Sequence, residues 1–210
     1  RTVGLVASHM SRKGVRTERF IAAIGRFDEL NGRDPRQESV DGVEQPKELV
    51  YAHRMTHELE AFSTDPSEVV QLAVRCQHIQ RWLIARSTFP EGRDGYRRWR
   101  TALAGLHAEI ATEILRDVGY DNTTIGRVQA LLRKERLKSD PEVQCLEDVA
   151  CLVFLKYYLT GFAVQHDEEK LIGIIRKTWR KMSRAGQIAA LKLSLTPELQ
   201  TLVSRSIGSQ

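Results

Sequence analysis

The sequence predicts an all-α fold, a single-domain helical bundle over 17–207, from three observations. Apolar residues recur at three- and four-residue steps through most of the chain after Thr17. Helix-start signatures precede these stretches. No run alternates convincingly with period two, and no Asn-Gly pair joins two alternating runs. The first helix carries Phe20, Ile21, Ile24, Phe27 and Leu30 and stops at Asn31-Gly32. A polar stretch with Asp34-Pro35 and Asp41-Gly42 turn signals follows as loop. The second helix runs from about Pro46 to Phe62. Asp65-Pro66-Ser67-Glu68 then opens a helix expected to reach Arg86, apolar on most sides and hence central. Phe89 to Gly95 reads as loop, with EGRDG suited to a lid. Tyr96 to Val118 is a long helix closed by Gly119. Asp121, Asp140-Pro141, Asp167 and Thr196-Pro197 each mark the start of a later helix.

Composition excludes several classes. The longest strictly apolar run, Val149 to Leu155, is far short of the roughly 20 residues of a membrane span. No charged start leads into a long apolar stretch. Cys76, Cys145 and Cys151 include no CxxC pair, which argues for reduced thiols and a cytoplasmic setting. Residues 1–10 end in Ser8-His9-Met10 and read as an expression-tag remnant. There is no Walker A loop, no GxGxxG after a strand and no Ser-His-Asp signature.

Chemistry therefore rests on histidines and carboxylates. His53 and His57 stand one helical turn apart, with His53 at the edge of an apolar face. His78 follows Val74 by four residues, and His107 lies between Leu103 and Ile110. Asp148 sits within the apolar run Leu146 to Leu155, where a bare carboxylate needs a partner. Each residue has a plain structural reading as a packed or capping side chain. As an ordered set on four helices, they also suit a divalent metal such as Mn, Fe or Zn.

That order, in YAHRM (51–55), LAVRCQHIQRW (72–82), LHAEIATEILRDVGYD (106–121) and LEDVACLVFL (146–155), resembles the HD superfamily of helical metal-dependent phosphohydrolases. The resemblance implies an HD-like fold with His53, His78 and Asp148 as metal ligands. His107 matches the further histidine, a ligand or catalytic acid/base. The chain departs from the pattern at Ile79, where the doublet aspartate belongs, so Glu109 becomes the candidate substitute carboxylate. A closer resemblance, from Phe20 to about Leu195, lies in FDELNGRDP, LLRKERLKSDPEVQCLEDVACLVFL and HDEEKLIGIIRKTWRKMS. These runs are similar to domain-of-unknown-function family 4202, which implies no activity.

Positive charge is uneven: 101–150 hold six basic and nine acidic residues, whereas 151–200 hold eight and four. Arg93, Arg97, Arg98 and Arg100 surround Trp99, and Arg133, Lys134, Arg136 and Lys138 flank a single Glu135. Arginine forks suit phosphate, so Arg97, Arg98, Arg133 and Lys134 are the candidate anion anchors; the plain alternative is a solvated helix face. Two functions follow as expectations. One is a metal-dependent hydrolase of a phosphorylated small molecule or nucleotide, with His107 and Glu109 catalytic. The other is a non-catalytic helical module that binds RNA or a phosphorylated ligand through basic helix faces.

Overall fold

Polar caps divide the chain into helices. In the computed structural model, which describes residues 16–208, the Thr17 side chain accepts from the amide of Phe20 and opens α1, Glu18–Asn31. Its inner face buries Phe20, Ala23 and Phe27. The expected tag remnant over 1–10 lies outside the described residues.

The stretch expected to be loop contains an antiparallel hairpin, β1 Gln37–Val40 and β2 Val43–Pro46. Asp41 and Gly42 take φ of 51° and 79°, the left-handed pair that a two-residue hairpin turn needs. Neither strand buries a full face, so apolar alternation has no reason to appear. Helix α2, Lys47–Phe62, takes its cap from across the chain: Asp34 Oδ2 accepts from the amide of Glu48 at 3.1 Å.

Ser67 caps α3, which covers Glu68–Cys76 and so ends well before the expected Arg86. Gln80 is left-handed (φ 50°), and its amide donates to Asn31 Oδ1 at 3.1 Å. Short 3-10 turns follow at Arg81–Leu83 and Arg86–Thr88. The truncated α3 is still the central helix. It packs against α1 and α2, and against α5 and α6 described below, and buries Leu72, Ala73, Val74 and Cys76.

Helix α4, Gly92–Asp117, begins within EGRDG. That segment is a helical first turn instead of the expected lid loop. A Cβ at Gly95 would run into the Pro90 carbonyl, so only glycine allows this entry. Asp121 caps α5, Asn122–Leu132, and Asp140 caps α6, Pro141–Val153. A π-helical turn, Phe154–Tyr158, continues α6 into α7, Leu159–Gln165. Asp167, Ser183 and Thr196 cap α8 (Glu168–Lys181), α9 (Arg184–Ala190) and α10 (Pro197–Ile207).

Two apolar clusters hold these helices together. The first joins α1 to α6 around Phe27, Met55, Leu72 and Leu146. The second joins the end of α6, the π turn and the C-terminal helices around Leu152, Leu159 and Ile175. Burying each such side chain is worth about 1.5–3 kcal/mol. The fold is all-α: the described residues form ten α-helices and this one small hairpin. Among them no helix is long and apolar enough to cross a membrane.

Asp148, buried in α6, fastens α9 to this frame. Its Oδ1 accepts from the Ser183 amide at 2.7 Å and from Gln144 Nε2 at 3.0 Å, and its Oδ2 from Ser183 Oγ at 2.5 Å. A Cβ at Gly186 would lie 2.6 Å from Asp148 Oδ1. Gly186→Ala is therefore expected to destabilise the protein by about 1–3 kcal/mol, despite alanine's roughly 1 kcal/mol advantage in helices. Urea unfolding tests this, and an unchanged or higher midpoint would contradict it.

Candidate functional site

The break after α3 places polar side chains inside the first apolar layer. The Ile79 carbonyl, freed from helical bonding, faces His107 Nδ1 at 2.7 Å. A carbonyl only accepts, so Nδ1 carries the proton and Nε2 presents a bare lone pair. His107 is 4% exposed, and Nε2 is buried with no hydrogen-bond partner. Burial, the nearby Ile79 bond notwithstanding, pushes its pKa down to about 3, and the charges of Arg81 and Arg100 push the same way.

His78 packs 6.0 Å from His107, centroid to centroid, and stacks on Tyr51 at 4.0 Å and 13°. Arg81 Nη1 donates to His78 Nε2 at 3.2 Å, which leaves the ring proton on Nδ1, 3.4 Å from Glu48 Oε2. Burial holds His78 well below the usual imidazole range, and Arg81, His107, Arg100 and Lys134 add to this. Tyr51 OH accepts from Gln77 Nε2 at 2.9 Å. The π turn contributes Tyr158, whose ring lies 6.1 Å from Tyr51 and whose hydroxyl accepts from Arg54.

The surrounding charges are matched in pairs. Arg36 holds Asp34 at 2.9 Å and Glu48 at 2.8 Å, Arg54 holds Glu38, and Lys134 holds the buried Glu147. Arg81 and Arg100 are the exceptions. Both are partly buried, and among the described residues neither has a carboxylate within 4 Å. Arg81 lies over the Trp99 ring at 4.7 Å, while Trp99 Nε1 donates to the Ile84 carbonyl at 2.9 Å. Arg100 makes no side-chain hydrogen bond among these residues. Its charge, after burial itself, is the next largest influence lowering the pKa of Arg81, so the two cations sit near each other. Arginine keeps its proton, so this positive charge is permanent.

The expected metal ligands do not converge. His53 is half-exposed and lies 3.9 Å from Asp28, which Arg75 already clasps at 2.6 Å. Both oxygens of Asp148 are committed to Ser183 and Gln144. Ile79, in the place of the doublet aspartate, is fully buried and apolar. Among the described residues no group of three or more His, Cys, Asp or Glu is arranged to hold a metal. The residues present therefore do not fit the ligand set that the HD resemblance implies. His78 and His107 do come together. Glu109 is exposed on α4, two residues from His107 and so turned away from the face that His107 buries.

Of the expected anion anchors, Arg97, Arg98 and Arg133 are exposed, and Lys134 is taken up by Glu147. The cations gathered at the histidines are Arg81 and Arg100, which sequence spacing can suggest after the fact. Arg100, Leu103 and His107 fall at i, i+3 and i+7 on one face of α4, and Arg81 follows His78 by three. Two surface clefts lie elsewhere. One, of about 340 Å³, is lined by Arg127, Arg136, Asp140 and Glu142, whose charges already pair. The other, of about 100 Å³, lies among Phe20, Ile24, Leu59 and Arg75.

A model of the family described as a domain of unknown function (DUF4202) matches residues 21–203. No curated protein and no solved structure matches the chain.

The buried histidines set a pH dependence. In the unfolded chain each imidazole titrates near 6.5, whereas in the fold both stay neutral well below that. Between these limits the unfolded state binds more protons, so stability is full above about pH 6.5 and falls as pH drops. Each histidine contributes a slope of up to about 1.4 kcal/mol per pH unit; that of His107 continues toward about pH 3. Urea unfolding at about pH 7 and about pH 5 should show a smaller loss for His107→Gln than for the parent. An equal loss in both would contradict neutral burial of His107.

Proposed function

The chain belongs to the DUF4202 family, a membership that assigns no activity, and from the site itself we propose a module that binds a phosphate-bearing small molecule at Arg81 and Arg100. The observation that carries this reading is the pair of adjacent, partly buried guanidiniums with no carboxylate within 4 Å among the described residues, Glu48 and Glu147 acting on them only from farther off. Like charges held together away from bulk water are destabilising until an anion joins them. Guanidinium forks suit phosphoryl oxygens through paired N–H donors. The aromatic setting of Trp99, Tyr51 and Tyr158 lowers the local polarity and strengthens such a contact.

Binding is favoured over hydrolysis by the chemistry of the histidines. A general base works best with a pKa near the working pH, and His107 lies far below it. Glu109 is exposed on another face of α4. The metal that would activate water in an HD-type enzyme lacks a matching donor set in these residues, so no step is assigned to one. The recessed position of the arginines favours a compact ligand over an RNA backbone, which would need an extended exposed track.

Titration with inorganic phosphate and pyrophosphate tests the reading, by calorimetry and by thermal unfolding. A ligand at about a hundred times its Kd should stabilise the fold by about 2.7 kcal/mol. Arg100→Met removes a side chain that makes no hydrogen bond within the described chain, so the fold should persist. Its loss of a charge-assisted contact should weaken binding about tenfold to hundredfold. Binding unchanged in Arg100→Met, or no binding by the parent protein, would overturn the proposal.

A further inference from the structure

We infer that the ligand of this site is an anion carrying its own hydrogen-bond donor, and that His107 Nε2 accepts from that donor while Arg81 and Arg100 hold the charge. The inference rests on the anion-binding reading above and specifies its ligand further. Its basis is a feature of the cluster that two arginines alone do not explain. His107 is 4% exposed, its Nδ1 proton is committed to the Ile79 carbonyl, and Nε2 is buried without a partner. Such a nitrogen cannot donate. Facing a fully deprotonated anion, it would set one lone pair against another; facing an O–H or N–H, it completes a hydrogen bond.

Among the described residues no neighbour donates to it. The His78 Nδ1 proton faces Glu48, and Arg81 Nη1 donates to His78 Nε2. The Trp99 indole donates to Ile84. The nearby cations cannot be neutralised by His107, which only accepts. The site thus presents two permanent cations and, at His107 Nε2, an unpaired acceptor. Its chemical complement is a hydrogen-phosphate group, or a phosphate ester with a hydroxyl close to the phosphorus. Sulfate, of the same tetrahedral shape, lacks the proton. A site built around a buried polar group rejects analogues that leave it unpaired.

Hydrogen phosphate and sulfate at about pH 8 make the direct comparison, since both are then dianions that differ by one O–H. Calorimetric titration of the full chain should show phosphate bound roughly tenfold to hundredfold more tightly than sulfate. Methyl phosphate, without a P–OH proton at that pH, should resemble sulfate. Glycerol 3-phosphate should regain affinity if a neighbouring hydroxyl can supply the donor, whereas hydrogen phosphate alone binding tightly would assign the donor to the P–OH. Nitrogen NMR of histidine-labelled protein adds a readout that needs no variant: phosphate should shift the His107 Nε2 resonance in the direction of hydrogen-bond acceptance, and sulfate should not. Equal affinity for phosphate and sulfate, both lost in Arg100→Met, would overturn this inference and leave the anion-binding reading standing. Failure of every anion to bind would remove both.

Discussion

The hydrogen bond between His107 Nδ1 and the Ile79 carbonyl governs much of what surrounds it. It requires that α3 stop at Cys76, because a carbonyl inside a continuing helix would be spent on the amide four residues ahead. The left-handed Gln80 and its amide bond to Asn31 hold the chain in the broken geometry. A left-handed residue other than glycine costs roughly 1–2 kcal/mol, and the bond to Asn31 and the complete burial of Ile79 offset it. From this one bond follow the tautomer of His107 and the unprotonated Nε2 that stays buried without a partner.

Electrostatics then separates framework from site. Asp34, Arg36 and Glu48 tie the hairpin to the start of α2, and Glu38 with Arg54 and Tyr158 ties it to the π turn. Glu147 holds Lys134 and lies 3.5 Å from Lys181, joining the segment after α5 to the end of α8. Each carboxylate in this set has a cation, as buried acids require. Arg81 and Arg100 have no carboxylate that close, and Glu48 and Glu147 act on them only at longer range. The net charge of +5 is a weak indicator of function because it sums the whole chain, whereas these two arginines are set where a charge has consequences.

Much of the fold is legible in local sequence. The caps at Thr17, Ser67, Asp121, Asp140, Asp167 and Thr196 work through side chains two or three residues from the amides they satisfy. The hairpin escapes because its strands are largely exposed and carry little apolar contrast. The premature end of α3 escapes because Gln77–Gln80 continues an apolar helical pattern, and the break depends on Asn31, nearly fifty residues earlier. Helical geometry alone places Glu109, exposed, on another face of α4 from His107. His53 and Asp148 lie apart from the cluster because each has a partner elsewhere, Asp28 in one case and Ser183 in the other.

What the sequence by itself determined is the all-α class, the order of its helices and the family, since periodicity and capping act over a few residues and long motifs persist along the chain. What only the tertiary structure decided is which polar groups share one interior. Arg81 and Arg100 sit on segments whose separation in sequence carries no hint of their nearness. The turn after α3, packed against the buried face of α4, brings them to His78 and His107. Burial then converts ordinary side chains into a fixed positive charge beside a neutral acceptor, because desolvation acts on groups according to where the chain folds them.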